Sequence, residues 1–228
     1  MNSRVRVALI GARGRMGQTI VDLAKKDSKI DIVAQCDIGD SVGEALKNCD
    51  VAIDFSNASS IDEVCRAASQ HKIGLVIGTT GHSPEQRQLI EKTAKSLPIV
   101  FASNFSVGVN ALFALTKRAA EIFGSEVRPE IVETHHTKKK DAPSGTAKTL
   151  GEILKNELKF DVQIESIREG DVVGEHTVTF VGPSERLVLT HSAGSREIFA
   201  SGALRAAEWV VGKPAGLYSM QDVLGIAR

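Results

Sequence analysis

The chain is poor in aromatic residues, and its charges balance. Only 4% of its 228 residues are aromatic, and 28 Lys and Arg stand against 28 Asp and Glu. Binding to nucleic acid or to an anionic membrane needs an excess of basic residues, so the balance argues against both partners. No apolar run is long enough to cross a membrane, and the first residues do not resemble a signal peptide. We therefore expect a cytoplasmic protein that does not associate with membranes.

Cysteine is also scarce, and its positions exclude one class of enzyme. Cys36, Cys49 and Cys65 form no CxxC pair, and an odd count is not typical of a disulfide framework. We expect a reducing compartment. A semialdehyde dehydrogenase needs a cysteine nucleophile in its second half. No cysteine follows Cys65, so that class is excluded.

The first half of the chain alternates between strand and helix patterns. Helical patterns such as 60–69 and 84–96 separate the apolar strand patterns, which cover 4–10, 32–36, 51–55, 74–77 and 98–102. Strands that alternate with helices are typical of a parallel, doubly wound α/β sheet of Rossmann type. We therefore predict a dinucleotide-binding domain over 1–106, to which 214–228 returns.

A glycine-rich turn joins the first predicted strand to the first helix. Its sequence is Gly11-Ala12-Arg13-Gly14-Arg15-Met16-Gly17. Glycines there let the backbone approach a pyrophosphate, which then lies at the helix N-terminus. The GxxGxxG spacing departs from the common GxGxxG, so the motif by itself is a weak indication. It gains weight from its place between a strand and a helix, and from an acidic residue at the end of the second strand.

That acidic residue, Asp37, bears on the choice of cofactor. A carboxylate at this point hydrogen-bonds the ribose hydroxyls of NADH and repels the phosphate of NADPH. Arg13 and Arg15 lie close enough in sequence to reach a phosphate, so NADPH stays open. Polar loops at 54–56, 78–81 and 103–105 also follow strands, and ligands of parallel sheets bind at that edge. The sequence predicts a nicotinamide cofactor, with NADH favoured.

The second half contains a cluster of imidazole and lysine side chains. It runs Glu133-Thr134-His135-His136-Thr137-Lys138-Lys139-Lys140-Asp141-Ala142-Pro143-Ser144-Gly145-Thr146-Ala147. Imidazole exchanges protons near neutral pH, lysine holds an anion, and the N–H groups of a helix start attract negative charge. The cluster predicts a pocket that binds a small polyanion and transfers a proton. Consecutive strand residues face opposite sides, so one of the two histidines is expected to donate the proton and the other to support binding. We predict no metal site, because no cysteine or third ligand lies near the histidine pair.

The pattern of elements changes after 106. A long helix is predicted over 107–124 and a second over 203–211, and strands are predicted over 131–135, 162–167, 176–181, 185–190 and 197–200. These elements indicate an α+β domain over 107–213 with a mixed, largely antiparallel sheet. One face of such a sheet is free to pack against another subunit.

Taken together, these motifs resemble the dihydrodipicolinate reductase family of bacterial lysine biosynthesis. The resemblance runs almost end to end, through the glycine-rich turn, Gly78-Thr79-Thr80-Gly81 and Asn104-Phe105-Ser106-Val107-Gly108-Val109-Asn110. It continues through Glu133-Thr134-His135-His136, Lys139, the segment from Asp141 to Ala147 and the segment from Arg168 to Thr177. Ile38 follows Asp37 where the family often has a basic residue, and the segment from there to Val51 is short for the family.

The resemblance implies an activity and roles for particular residues. The activity is the NADH- or NADPH-dependent reduction of 4-hydroxy-tetrahydrodipicolinate, a small dicarboxylate, by a homotetramer. His135 is implied as the proton donor and Lys139 as the catalytic lysine. The substrate-binding positions are His136, Ser144, Gly145, Thr146 and Thr80. The cofactor-binding positions are Gly11, Ala12, Arg13, Gly14, Arg15, Met16, Asp37, Gly78, Thr79, Thr80, Ala102, Ser103, Asn104 and Phe105. The alternative is a catalytically silent nucleotide-sensing module, which would have lost His135 or Lys139.

Overall fold

The computed structural model describes residues 4–226 and divides the chain into two compact units. The first unit comprises Met1–Phe105 and Glu197–Arg228, and the second comprises Ser106–Arg196. The return to the first unit therefore begins at Glu197. The sequence predicts a return at 214, which is too late, because the segment from Glu197 onward already packs with the first unit.

The strands and helices alternate through most of the chain. The strands are β1 (Val5–Ile10), β2 (Ile30–Cys36), β3 (Val51–Asp54), β4 (Gly74–Ile77), β5 (Pro98–Phe101), β6 (Arg128–His135), β7 (Ile164–Arg168), β8 (Glu175–Val181), β9 (Arg186–Ser192) and β10 (Gly216–Tyr218). The helices are α1 (Arg15–Ala24), α2 (Val42–Ala45), α3 (Ile61–His71), α4 (Pro84–Ala94), α5 (Val107–Phe123), α6 (Gly145–Leu158), α7 (Glu197–Val210) and α8 (Met220–Leu224). Within residues 4–226, no helix has the length and apolar character to span a membrane.

The first unit is built on a six-stranded sheet with the order β10-β5-β4-β3-β1-β2, in which every neighbouring pair is parallel. Alternate residues of β1 enter two separate apolar layers. Val7 and Leu9 pack with α1, α7 and α8, whereas Ala8 and Ile10 pack with α2, α3 and α4. Helices on both faces of a parallel sheet define the doubly wound α/β fold, so this prediction is confirmed.

Helix α7 corrects the prediction of a strand over 197–200. Ile198 and Phe199 favour strands locally, but the buried positions that follow have helical spacing, namely Ala200, Ala203, Leu204 and Ala207. Burial of this stripe against the first sheet outweighs the local preference. Gly202 lies on the same helix, where an added Cβ would be 1.8 Å from the carbonyl oxygen of Phe105. The helix therefore packs directly against the backbone that follows β5.

The second unit contains a four-stranded sheet with the order β7-β6-β8-β9. Strands β6 and β7 are parallel and the other two pairs are antiparallel, so the predicted mixed, largely antiparallel sheet is confirmed. Helices α5 and α6 share an apolar core with one face of the sheet, through residues such as Ile131, Val178 and Phe180. On β8 and β9, Val181 and Val188 are exposed.

Candidate active site

The glycine-rich turn of the first unit packs tightly against the start of α1. Gly11 has φ +82°, a left-handed conformation that favours glycine, and its N–H donates to the carbonyl oxygen of Cys36 at 2.8 Å. A Cβ on Gly17 would lie 2.2 Å from the oxygen of Gly11 and 2.6 Å from Cα of Ala12. Gly14 precedes the helix as its N-cap and is exposed. The backbone of the turn is thus open to a ligand at Gly14 and closed against the helix at Gly17.

Asp37 folds back onto this turn. Its Oδ2 accepts a hydrogen bond from Arg13 N at 2.7 Å, and its Oδ1 accepts one from Ile38 N at 2.9 Å. These two backbone donors hold the pKa of Asp37 below its ordinary range. Asp40 lies beside it and also approaches the Arg13 guanidinium, at 3.6 Å. The end of β2 therefore presents two carboxylates next to the glycine-rich turn.

Two cavities adjoin the turn at the carboxyl ends of the strands. One is about 460 Å³, and its lining includes Gly11, Asp37, Ile38, Asp40 and Glu63. The other is about 500 Å³, and its lining includes Arg15, Met16, Gly78, Thr79 and Thr80. Both are lined by Gly14, Phe55, Ser56 and Asn57. They therefore form neighbouring parts of one depression, in which an elongated ligand such as a dinucleotide fits across the glycine-rich turn.

Asp54 connects the two loops that line the larger cavity. It is fully buried. Its Oδ1 accepts from Ser56 N at 3.0 Å and from Ser56 Oγ at 2.5 Å, and its Oδ2 accepts from Thr79 Oγ1 at 3.0 Å. Burial raises the pKa of Asp54, and these hydrogen bonds partly offset the rise. The sequence placed 54–56 among the ligand-facing loops, but Asp54 faces inward and anchors them.

The predicted cofactor positions after β5 do not line either cavity. Ala102 and Asn104 are half-buried and Ser103 is exposed. Phe105 is buried in the core of the first unit, where its ring contacts that of Phe55 at a centroid distance of 5.7 Å. Phe55 in turn packs against Gly78, where an added Cβ would lie 2.2 Å from the ring. Phe105 therefore supports the cavity wall from behind.

The second unit places the histidine and lysine cluster at the end of β6. His135 is the last residue of that strand and is buried, and Glu133, two residues earlier on the same face, is fully buried. Glu133 Oε2 accepts a hydrogen bond from His135 Nδ1. Glu133 Oε1 lies 2.8 Å from Arg168 Nη2 and also accepts from Ser144 N at 3.3 Å. One buried carboxylate thus joins the imidazole to a guanidinium and to the residue that caps α6.

The environment moves the pKa values of both members of this pair. Burial alone raises the pKa of Glu133, but the hydrogen bond from Arg168 and the nearby positive charges bring it below its ordinary range. Burial lowers the pKa of His135, and the Glu133 carboxylate opposes that effect. The structure therefore places an ionised carboxylate next to an imidazole, where burial favours the neutral ring and the carboxylate favours the protonated one.

A second buried histidine, His176, lies next to this pair. Its ring meets that of His135 edge to face at 5.1 Å, and its Nε2 is 3.0 Å from Ser144 Oγ. Ser144 Oγ accepts from Ala147 N as the N-cap of α6, so its hydroxyl hydrogen is available to His176. Burial lowers the pKa of His176 from 6.5 to about 4, and the charge of His135 adds to the effect. His176 is therefore neutral near pH 7.

The remaining predicted residues lie on the loop after β6 and at the start of α6. Lys139 Nζ pairs with Asp141 Oδ2 at 2.9 Å, and that pairing lowers the pKa of Asp141. His136 is half-buried, and its Nδ1 is enclosed without a hydrogen-bond partner among the described residues. Gly145 and Thr146 lie in the first turn of α6, at the end of the helix dipole that favours an anion. The predicted residues of the second unit thus lie along one continuous segment, whereas Thr80 belongs to the first unit.

Sequence reasoning missed the roles of Glu133, Arg168 and His176. Glu133 carried a signal, because residues i and i+2 of a strand share a face and Glu133 therefore lies beside His135. Arg168 and His176 come from β7 and β8, and they reach the site only through strand pairing. Ligand atoms of Glu133, His135 and His176 lie within 4.8 Å of one another, a spacing that a metal ion accepts. The Arg168 guanidinium on the same carboxylate repels a divalent cation, so we interpret the cluster as a proton-transfer network.

The two units together define a class of protein. A doubly wound sheet with a glycine-rich turn, an acidic residue after β2 and a depression at the strand ends is the architecture of nicotinamide-dinucleotide-binding oxidoreductases. The second unit adds a buried carboxylate–imidazole pair beside a lysine and an open helix start.

Comparison with known proteins narrows this class to one family. Residues 5–105 match the profile of the N-terminal part of dihydrodipicolinate reductase, and residues 108–224 match that of its C-terminal part. The chain belongs to the dihydrodipicolinate reductase family. It is therefore an NAD(P)H-dependent oxidoreductase, and the catalytically silent alternative is not favoured.

Individual relatives extend over nearly the whole chain. The 4-hydroxy-tetrahydrodipicolinate reductase of Akkermansia muciniphila is 45% identical over 244 residues, which covers 98% of this chain and 99% of the relative. That of Geobacter metallireducens is 39% identical, with 97% and 99% covered. The dihydrodipicolinate reductase of Paenisporosarcina sp. TG-14, solved with dipicolinate bound, has a TM-score of 0.84 at 25% identity and covers 96% of this chain and 98% of its own. The DAP dehydrogenase of C. glutamicum, at 14% identity and a TM-score of 0.61, shares the fold.

Proposed function

We propose that this chain reduces 4-hydroxy-tetrahydrodipicolinate to tetrahydrodipicolinate, with hydride from a nicotinamide cofactor and a proton from His135. The observation that carries the proposal is the buried Glu133–His135 pair next to the lysine-bearing loop and the open start of α6. A proton donor and an anion site in one segment suit a ring that carries carboxylates and gains a proton when it is reduced.

The substrate carboxylates bind at the loop and the helix start. Lys139 supplies a positive charge, although in the structure it pairs with Asp141, a half-exposed carboxylate that a substrate carboxylate can replace. Gly145 and Thr146 begin α6, and the helix dipole favours a negative group at that N-terminus. His136 has an enclosed nitrogen free to accept or donate a hydrogen bond. Ser144 keeps this helix start in place as its N-cap.

His135 delivers the proton. The substrate first loses its hydroxyl group as water, which leaves an unsaturated ring. Bound NADH or NADPH supplies the hydride that reduces the ring. His135 protonates the ring carbon on which negative charge then accumulates. A positioned general acid of this kind contributes on the order of a hundredfold or more to the rate.

The first unit holds the cofactor. The glycine-rich turn would hold the pyrophosphate, through Gly11, Ala12, Arg13, Gly14, Arg15 and Met16. Asp37 would hold the ribose of the adenosine. Gly78, Thr79 and Thr80 line the other cavity, where the rest of the cofactor would bind. We favour NADH over NADPH. The smaller cavity is lined by the carboxylates of Asp37, Asp40 and Glu63, and a ribose phosphate there would meet like charges.

The second unit also provides a surface for self-association. Val181 and Val188 are exposed on the β8 and β9 strands. A sheet face with exposed apolar residues is suited to packing against the same face of another copy. We propose a homotetramer assembled through this sheet, which the molar mass in solution tests.

The assay that tests the function couples the chain to its substrate supply. An upstream synthase generates the ring substrate from pyruvate and aspartate semialdehyde, and oxidation of NADH and of NADPH is followed in parallel. We expect oxidation that depends on the synthase, a faster rate with NADH, and a loss of about a hundredfold or more in His135→Gln. His71→Gln, at the end of α3, is the matched control and keeps full activity. A folded protein that binds either cofactor but oxidises neither would overturn the proposal.

A further inference from the structure

The buried position of Glu133 raises the question of what its carboxylate does. The side chain is fully buried, and each of its oxygens has a defined partner. Burial of a charge is unfavourable unless it is paired and hydrogen-bonded. An apolar residue at this position of β6 would avoid that cost, since Ile131, two residues earlier on the same face, belongs to the core. The carboxylate therefore has a function beyond packing.

Glu133 determines which nitrogen of His135 carries the fixed proton. Because Oε2 accepts from Nδ1, the neutral imidazole has its hydrogen on Nδ1 and its lone pair on Nε2. The space at Nε2 is kept open by Gly174, where an added Cβ would lie 2.9 Å from that nitrogen. A proton that His135 gains and later transfers is thus carried on Nε2.

Arg168 and Ser144 hold the carboxylate itself in position. Arg168 Nη2 donates to Glu133 Oε1 at 2.8 Å and to the carbonyl oxygen of Asp141 at 2.6 Å, so it joins Glu133 to the lysine-bearing loop. Ser144 N donates to the same Oε1 at 3.3 Å. These donors keep Glu133 ionised and prevent it from turning away from His135.

We propose that Glu133 is the positioning residue of the proton donor, which orients the His135 ring and stabilises its protonated form. This inference rests on the proposed role of His135 as the general acid. The other charged and titratable groups around His135 act in the opposite direction. Lys139 on the loop and Arg168 on β7 are positive, and His176 on β8 is neutral and becomes positive only at low pH. Glu133 is the one facing group, among the described residues, that favours the imidazolium.

Removal of the charge therefore has a predictable direction. In Glu133→Gln, the groups that remain around His135 all oppose its protonation, so its pKa falls. A general acid works only in its protonated form, so the decline of kcat/KM on the alkaline side moves to lower pH. The glutamine amide also cannot accept from His135 Nδ1 and face Arg168 at the same time without placing donor against donor.

The experiment compares Glu133→Gln with Glu152→Gln in the coupled assay. Glu152 belongs to the same unit but is exposed on α6, away from the sheet, so it serves as the matched control. For Glu133→Gln we expect kcat to fall on the order of 10- to 100-fold, a pH profile displaced to lower pH, and an unchanged KM for NADH, since the cofactor cavities are in the first unit. A profile that coincides with that of the wild type would overturn the inference. A purely structural role would lower the amount of active protein without moving the profile.

Ring ¹⁵N NMR of the wild-type protein provides a test that needs no folded Glu133 variant. His135→Gln identifies the His135 signals by their loss. We expect the neutral ring to be protonated on Nδ1, and an Nε2-protonated tautomer would contradict the inference. The two proposals fail separately. Full activity in His135→Gln would remove the proposed proton donor, whereas an inactive His135→Gln with an unperturbed pH profile in Glu133→Gln would remove only the positioning role.

Discussion

The glycine-rich turn has two roles, since it packs against the start of α1 and lines the cofactor cavities. Replacement of Gly17 by alanine tests the packing role. A Cβ at Gly17 would lie 2.2 Å from the oxygen of Gly11 and within 2.6 Å of the Cα and oxygen of Ala12. All of these atoms belong to the backbone, so no side chain can rotate away from them. The start of α1 would have to move outward by roughly 1 Å to restore ordinary contact distances.

The size of the effect follows from two opposing contributions. Overpacking typically costs about 1–3 kcal/mol, and the backbone neighbours of Gly17 place this case at the upper end. Alanine favours the helix interior over glycine by about 1 kcal/mol, which recovers part of the loss. The net destabilisation is about 2 kcal/mol, and for a chain of this length it lowers Tm by about 4–8 °C.

Gly14→Ala is the matched comparison. It changes another glycine of the same turn, but its added Cβ has a single close neighbour, the oxygen of Gly11 at 3.3 Å. Gly14 lines both cavities, so its Cβ enters the space where the cofactor binds. We expect Gly14→Ala to weaken NADH binding by about tenfold, or about 1.4 kcal/mol, with a smaller change in Tm. Thermal unfolding followed by circular dichroism and NADH titration followed by fluorescence measure both quantities. A Tm for Gly17→Ala within about 1 °C of the wild type would refute the packing argument.

Two further predictions concern single side chains. Asp37→Ala should weaken NADH binding by about tenfold and NADPH binding by less, because the carboxylate favours ribose hydroxyls and repels phosphate. Fluorescence titrations measure both affinities, and equal losses would contradict the contact between Asp37 and the ribose. The pKa of His176 is lowered to about 4, so its neutral form contributes stability that is fully present above pH 6.5 and is lost as the pH falls toward 4. That loss is on the order of 3 kcal/mol. In urea unfolding, the free energy of unfolding of His176→Gln should therefore decline less than that of the wild type between pH 6.5 and 4.5. Parallel curves for the two proteins would show that His176 does not cause the pH dependence.

The alternating strands and helices of residues 4–105 were predictable because each of them is encoded locally. Strand periodicity, the glycine-rich turn and the acidic residue after β2 are all read from neighbouring residues. The prediction failed at 197–200, where local preference and tertiary burial disagree. The inward orientation of Asp54 was also not readable, because it depends on Ser56 and Thr79 meeting across the ends of β3 and β4.

The proton-transfer network of the second unit depends on strand pairing as well as on local sequence. Strand alternation alone brings Glu133 and His135 to one face of β6. The other members are added by register, since Arg168 is the β7 partner of His135 and His176 is the β8 partner of Glu133. A slip of one residue in either neighbouring strand would turn its side chain to the opposite face. The sheet pairing that stabilises the unit is therefore also what assembles the acid, its carboxylate and the guanidinium that holds the carboxylate in place.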